Sequence, residues 1–249
     1  SPITNNKIVM GPWSHGQWSR EGSYLGNVQF ESSTSAYFQQ HFEVPFFQYY
    51  LKGKGSVNEI AEANIFFSGE NQWRQFDHWP ATSVETKKLF ISANEKLAYF
   101  PLATVKPAFY EYISDPAKPV PYTEDVHDDR TREYMTDDQR FASRRTDVLS
   151  FEMDELKEDL TLAGPVIANL LTSISTSDAD FVVKLIDVFP DTFRYKTPPP
   201  QGEAGRGLYP MGGYQMLVRG EIMRGKFRNS FEKPDPFTPN KPTSVKFEL

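Results

Sequence analysis

The sequence predicts a mainly β protein, in which a jelly-roll β-sandwich follows a short segment of α/β texture. The 19 prolines and 15 glycines among 249 residues indicate many turns rather than long helices. Beyond residue 60, short apolar runs alternate with turn residues, and no sustained helical period is present. Many strands joined by long loops are typical of a sandwich, and the jelly roll is the topology that we expect.

Composition excludes several classes of function. The 33 acidic residues outnumber the 27 basic ones, the net charge is −6, and no basic run interrupts the mixture, so nucleic acid is not an expected partner. No apolar run reaches the ~18 residues of a membrane span, and no membrane partner is expected. The absence of cysteine excludes disulfides and a cysteine nucleophile, but it leaves the cellular compartment open.

The α/β segment is expected to occupy residues 1–55. A short apolar run at residues 7–10 predicts a strand, and a loop rich in glycine and tryptophan follows at residues 11–26. Aromatic residues four apart then predict a helix with one face on a core, which ends at Gly53 in a left-handed cap. Pro45 lies inside this pattern, so it either starts a second helix or kinks the first.

The β-rich segment is expected to occupy residues 56–249. The stretch from 107 to 145 is rich in proline, aspartate and arginine, and we interpret it as a long excursion over the surface. Patterns typical of strands lie on both sides of it, at residues 64–68, 88–92, 159–162, 166–174, 181–189, 214–227 and 244–249.

Three of these patterns also predict the surroundings of the strand. Residues 181–189 are apolar on both faces, so we expect both faces to be buried. Residues 214–227 place Met216 and Ile222 on one face and Arg219 on the other, which predicts one wet side. Residues 244–249 alternate cleanly up to the last residue, and we expect further strands to follow in a longer protein.

The histidines are the first candidates for chemistry. No two of them have the spacing of a helical zinc site, and neither a metal nor another cofactor is expected. We interpret the acidic run at residues 124–129, and also Asp178 and Asp180, as solvated rather than metal-binding. The four histidines are His15, His41, His78 and His127.

His15 differs from the other histidines in its surroundings. It belongs to the run Gly11-Pro12-Trp13-Ser14-His15, in a loop between a predicted strand and a predicted helix. The triad histidine of an α/β-hydrolase occupies such a loop, after the nucleophile and the acid in chain order. No serine of this chain has glycine both two residues before and two residues after it, so no nucleophile elbow is expected. A hydrogen-bonded loop histidine is the alternative interpretation.

At this motif and at later ones the chain resembles a family of hydrolases. The family includes X-Pro dipeptidyl-peptidases, bacterial cocaine esterase, α-amino-acid ester hydrolases and glutaryl-7-aminocephalosporanic acid acylases. The ester hydrolase and acylase branch looks closest, through residues 138–149 and 178–191. The matching motifs, in the order of the family, are residues 11–15, 46–53, 69–73, 79–80, 138–149, 177–191 and 219–228.

The resemblance implies that His15 is the histidine of a catalytic triad and that residues 1–55 are the C-terminal remnant of an α/β-hydrolase domain. Residues 56–249 would then form a non-catalytic jelly roll, truncated at its end. The serine and the triad aspartate would precede residue 1, in a remainder of the catalytic domain that is the implied partner. The implied substrate of the intact enzyme is a small-molecule or short peptide ester or amide.

Two further expectations concern the chain by itself. Without a nucleophile it should be inactive, and exposed apolar surface should favour a homo-oligomer. The alternative function is a stand-alone carbohydrate-binding or structural β-sandwich module, because jelly rolls also serve in those roles.

Overall fold

The computed structural model describes residues 5–101, 109–129, 131–196 and 209–249. Within these ranges the protein is mainly β and its helices are short, which confirms the predicted fold class. No helix in this part of the chain is both long enough and apolar enough to span a bilayer. The strands are β1 (Ile8–Met10), β2 (Tyr24–Leu25), β3 (Val28–Gln29), β4 (Ala63–Phe67), β5 (Gln72–Phe76), β6 (Phe90–Ser92), β7 (Lys96–Ala98), β8 (Ile167–Thr172), β9 (Asp180–Val188), β10 (Gln215–Arg224) and β11 (Thr243–Glu248).

One helical run follows the His15 region. It begins with α1 (Thr34–Phe38), passes through a wide turn at Gln39–Glu43, and ends with α2 (Val44–Lys52). Pro45 lies in the first turn of α2, where its missing N–H is tolerated, and the wide turn directly before it absorbs the clash of its ring. Gly53 ends the run with φ 62, as the sequence predicts.

The first sheet has the order β1-β4-β5. β1 pairs with β4 in parallel, and β5 returns antiparallel to β4. Parallel strands require a crossover, and the helical run provides it. This sheet includes strands on both sides of the predicted boundary between residues 55 and 56, which lies in the loop between α2 and β4. The boundary itself stays a prediction.

The β-sandwich is built from two antiparallel pairs, β9 with β10 and β8 with β11. Their inner faces share a core in which Val245 is fully buried and Phe247 and Leu249 are each 6% exposed. Phe181 and Val183 of β9 pack against that core from the other pair. The alternation at the end of the sequence therefore predicted the inner face of β11 correctly, and the jelly-roll order of the strands stays a prediction.

The expected burial of both faces of residues 181–189 is wrong. Phe181, Val183 and Leu185 of β9 pack on the sandwich core, whereas Val182 is 55% and Val188 is 51% exposed. Gln139 and Phe141 contact the second face of the β9–β10 pair at Lys184, whereas Val182 and Val188 on that face meet solvent.

The expected wet side of residues 214–227 is also wrong. The ladder of β10 with β9 shifts between Leu217 and Arg219, which is a β-bulge. Because directly paired residues point to the same side, the bulge places Met216 and Ile222 on opposite faces. An alternating pattern in the sequence does not reveal one inserted residue, and that insertion moves every later side chain to the other face.

The strand expected at residues 159–162 is wrong, and the surface excursion expected at residues 107–145 is correct only in part. Residues 159–162 form no strand and are exposed. The surface excursion is correct for residues 109–129, which form neither helix nor strand, but Thr136 and Gln139 are buried. The short helix α3 (Arg140–Ser143) lies in this buried part. Residues 107, 108 and 130 of the excursion lie outside the described ranges.

Replacing Phe247 by alanine should lower the free energy of unfolding by about 3–5 kcal/mol, since it opens a cavity in the sandwich core. Lys246→Ala is the matched control on the exposed face of the same strand and should change it by less than about 0.5 kcal/mol. Urea titration followed by circular dichroism measures both. Equal effects of the two variants would contradict this account of β11.

Candidate functional site

The loop after β1 is anchored by Trp13. A Cβ at residue 11 would lie 2.5 Å from the Trp13 ring, so Gly11 is needed for the ring to fold back over the chain. The Trp13 Nε1–H donates a hydrogen bond to Thr34 Oγ1 at 2.8 Å, and its ring packs edge-on against Phe38 at 5.1 Å. These contacts fix the loop to α1.

Gln17 is the second anchor of the loop. Its Oε1 accepts hydrogen bonds from the backbone N–H and the hydroxyl of Ser14, both at 3.1 Å. Its Nε2 donates to the carbonyl of Tyr24 at 2.6 Å and to that of Glu21 at 3.1 Å. Both the oxygen and the nitrogen of the Gln17 side chain therefore form hydrogen bonds, and these bonds hold the turn that carries residue 15.

His15 is presented outward by this turn. The next residue, Gly16, has φ 78, a backbone conformation that favours glycine. The imidazole is exposed, and its only ring contact among the described residues is edge-on with Trp18 at 5.5 Å. No described residue forms a hydrogen bond with the ring, so both nitrogens can meet groups from outside.

An apolar cavity of about 300 Å³ opens at the end of β1. Trp18 lines it and also contacts His15, so the cavity and the imidazole are neighbours. The residues that line the cavity are Val9, Met10, Gly11, Trp13, Trp18 and Phe38.

The other histidines lie elsewhere. His41 stacks on Tyr37 at 3.9 Å, and its Nδ1 is 3.0 Å from the Tyr37 carbonyl oxygen. His78 is exposed beside Glu62, with 3.4 Å between ring nitrogen and carboxylate. His127 belongs to the exposed run at residues 124–129. Within the described ranges, no three acidic or histidine side chains are grouped as metal ligands.

Asp178 and Asp180 bind basic side chains at one end of the β9–β10 ladder. Asp180 accepts two hydrogen bonds of 2.7 Å from Arg224. Asp178 accepts one from the backbone N–H of Lys226 at 3.0 Å and lies 3.3 Å from its ammonium. Partial burial opposes ionisation, but Lys226 keeps the pKa of Asp178 below its usual range. These carboxylates therefore stabilise the ladder.

Asp138 is the centre of a buried polar network that the sequence patterns did not reveal. Its carboxylate, on a residue 8% exposed, accepts hydrogen bonds from Arg140 Nε at 2.6 Å and from the Tyr209 hydroxyl at 3.0 Å. The backbone N–H of Gln215 donates to it at 3.3 Å, and Arg140 also donates to the carbonyl of Gly212 at 3.2 Å. The hydrogen bond with Asp138 raises the pKa of Arg140 above its ordinary value. In the sequence, the spacing of Asp138 and Arg140, two residues apart, is the one indication of this ion pair.

Gln139 continues this network into the sandwich. Its side chain is 1% exposed and accepts a hydrogen bond from Lys184 Nζ at 2.6 Å. Burial lowers the pKa of Lys184, and the hydrogen bond partly replaces the water that the ammonium loses. Residues 136–142 are thus joined to β9 and β10.

Aromatic residues join the α/β and β-rich segments. Trp73 of β5 packs against Trp13 at 5.8 Å and against Phe42 at 5.3 Å, and Phe66 of β4 packs against Phe30 at 5.7 Å. The core around Phe66 contains residues of both segments: Leu25, Val28, Phe30, Phe66, Met211 and Tyr214.

This chain is similar to known proteins. Residues 49–249 match a family described as the X-Pro dipeptidyl-peptidase C-terminal non-catalytic domain. Cocaine esterase of Rhodococcus sp. (strain MB1 Bresler) is 27% identical over 198 residues, which are 74% of this chain and 33% of the esterase. The resemblance inferred from the motifs is therefore confirmed.

Two solved structures resemble nearly the whole chain. An aminopeptidase from the marine sediment archaeon Thaumarchaeota archaeon is 36% identical with a TM-score of 0.85 over 98% of this chain and 38% of its own. An α-amino acid ester hydrolase labelled with selenomethionine is 37% identical with a TM-score of 0.87, over 98% of this chain and 39% of its own. The chain thus spans about a third of the length of the esterase and somewhat more of the two solved proteins.

Asp138→Ala should lower the free energy of unfolding by about 3 kcal/mol or more, because it leaves Arg140 and Tyr209 without their buried acceptor. Asp147→Ala is the matched control, since Asp147 forms the same kind of pair with Arg145 in a more solvated place. We expect a much smaller loss there. Thermal and urea unfolding of both variants test this difference, and equal losses would contradict it.

Proposed function

Because the chain belongs to the family of X-Pro dipeptidyl-peptidase C-terminal non-catalytic domains, we propose that it is the C-terminal portion of a serine hydrolase acting on ester or amide bonds of acyl or aminoacyl substrates. His15 is the triad histidine of that enzyme, and the β-rich segment is its non-catalytic domain. The observation that carries the proposal is the placement of His15. It follows a strand of a parallel pair, in a loop anchored at Trp13 and Gln17, with an exposed imidazole.

The chemistry proposed for His15 is proton transfer in both halves of the reaction. A serine hydroxyl from the remainder of the enzyme attacks the substrate carbonyl and passes its proton to His15. His15 then gives this proton to the departing alcohol or amine, and it later activates the water that hydrolyses the acyl-enzyme. Imidazole is suited to both transfers near neutral pH. A ring that has no hydrogen bond to a described residue leaves one nitrogen for the serine and the other for an aspartate.

The relatives support a larger catalytic unit. They are an esterase, an aminopeptidase and an ester hydrolase, and this chain matches 33–39% of the length of each. The present sequence contains no Gly-x-Ser-x-Gly elbow. The proposed nucleophile and aspartate therefore belong to the remainder of the catalytic domain.

The surface around β1 supports a partner of this kind. β1 pairs with β4 along one edge, and no described strand pairs with its other edge. Ile8 is 39% and Met10 is 55% exposed there, and the apolar cavity lies at the end of the same strand. An open apolar edge of a parallel pair suits a further strand of the catalytic domain.

His15→Ala in the longer hydrolase that contains this chain should lower kcat on p-nitrophenyl esters by a factor on the order of 10⁴ or more, because the serine loses its base. His78→Ala is the control and should leave kcat unchanged, since His78 is exposed away from the loop. The chain by itself should release no p-nitrophenolate. Ester hydrolysis by the chain alone that is lost in His15→Ala would contradict the proposal.

The chain by itself should also self-associate through the open edge of β1. Met10→Lys adds a charge at that edge and should shift the chain towards the monomer in size-exclusion chromatography with light scattering. Leu171→Lys is the control, because Leu171 is 78% exposed on β8, which belongs to a different sheet. A wild-type chain that stays monomeric at high concentration would refute this expectation.

A further inference from the structure

The hairpin of β2 and β3 adjoins the loop that carries His15. Gln17 Nε2 donates a hydrogen bond of 2.6 Å to the carbonyl of Tyr24 in β2. The same side chain accepts both hydrogen bonds from Ser14, the residue before His15. The position of Tyr24 therefore determines where Gln17 can hold Ser14, and with it the turn around His15.

Residues of the β-rich segment bind the other side of this hairpin. Thr136 Oγ1 donates a hydrogen bond of 3.1 Å to the carbonyl of Leu25. The Tyr214 hydroxyl, from a fully buried residue, donates in turn to the carbonyl of Thr136. The Tyr195 hydroxyl accepts a hydrogen bond of 3.1 Å from the backbone N–H of Gln29. The hairpin is thus held at both of its strands.

Apolar packing makes this attachment stiff. Leu25 and Val28 are each 5% exposed, and they share one core cluster with Met211 and Tyr214. Close-packed cores transmit a displacement instead of absorbing it. The partners are far apart in sequence, 111 residues for Thr136 with Leu25 and 166 for Tyr195 with Gln29, so the attachment is a product of the tertiary fold.

We propose that the β-rich segment positions the triad histidine through this hairpin. Thr136, Tyr195 and Tyr214 hold β2 and β3, the hairpin holds Gln17, and Gln17 holds the turn that presents His15. The inference rests on the proposed role of His15 and extends it, since it gives a domain described as non-catalytic a part in arranging the catalytic group. The three residues are positioning residues that act through the hairpin.

The test measures the position of His15 in the full chain and needs no substrate. The edge-on contact with Trp18 at 5.5 Å displaces the His15 ring-proton resonances by the ring current of the indole. Thr136→Val, Tyr195→Phe and Tyr214→Phe each remove one hydroxyl and preserve the shape of the side chain. In each variant we expect a smaller displacement of these resonances, measured by NMR. We also expect about fivefold faster exchange of the Ser14 amide proton, the effect of roughly one net hydrogen bond.

Tyr110→Phe is the matched control. The Tyr110 hydroxyl donates to the carbonyl of Ser92 at 2.9 Å and accepts from the backbone N–H of Glu95 at 2.8 Å, next to β6 and β7. The same atom is removed there without touching the hairpin, so the His15 resonances and the Ser14 exchange should not change. The exposed His78 and His127 supply reference resonances in every spectrum.

Unchanged His15 resonances and Ser14 exchange in folded Thr136→Val and Tyr195→Phe chains would overturn the inference, and so would an equal change in Tyr110→Phe. Should Tyr214→Phe fail to fold, the other two variants decide. The result of this test is distinct from the result of the activity test of the proposed function. A longer hydrolase that stays active as His15→Ala removes the triad role, whereas these spectra report only whether the hairpin sets the position of the ring.

Discussion

The parallel pairing of β1 with β4 is the constraint on which the rest of the structure depends. β4 is buried along its whole length, and the side chain of Asn64, itself fully buried, donates to the carbonyls of Ala61 and Ile8 at 3.0 and 3.4 Å. Two strands that run in the same direction need a crossover between their ends. The loop with His15, the hairpin and the helical run all lie within that crossover. The parallel pair therefore determines that the histidine emerges at the end of a strand.

The two segments of the chain are joined by buried polar groups as well as by aromatic packing. Thr136 donates to the carbonyl of Leu25, and the Tyr195 hydroxyl accepts from the backbone N–H of Gln29. Within the β-rich segment, Asp138 accepts hydrogen bonds from Arg140, Tyr209 and Gln215. The partners in such hydrogen bonds cannot move apart easily, because an unpaired buried donor or acceptor lowers the stability of the fold. This explains why a stretch with the composition of a surface loop is buried between residues 136 and 142. The stretch connects the sandwich with the hairpin beside the His15 loop.

Membership in a non-catalytic domain family and the presence of a histidine suited to catalysis are compatible in one chain. The family match covers residues 49–249, whereas His15 lies before it, in the part that shares a parallel sheet with β4. Gln17 holds the backbone before His15, and the only ring contact of the imidazole among the described residues is with Trp18. No described strand pairs with the outer edge of β1, the strand before His15. Under the proposed function, a further catalytic unit adds to these features the serine and the aspartate that complete the triad.

The sequence by itself determined what depends on neighbours along the chain. The alternation before Leu249 and the cap at Gly53 are local, and local sterics and periodicity are sufficient to predict them. Only the tertiary structure decided that Val182 and Val188 of β9 are exposed, that a bulge at Val218 reverses the faces of β10, and that Asp138 is buried. These depend on which layer covers a strand and on residues up to 166 positions apart, as between Tyr195 and Gln29. Periodicity along a strand carries no information about partners at that distance.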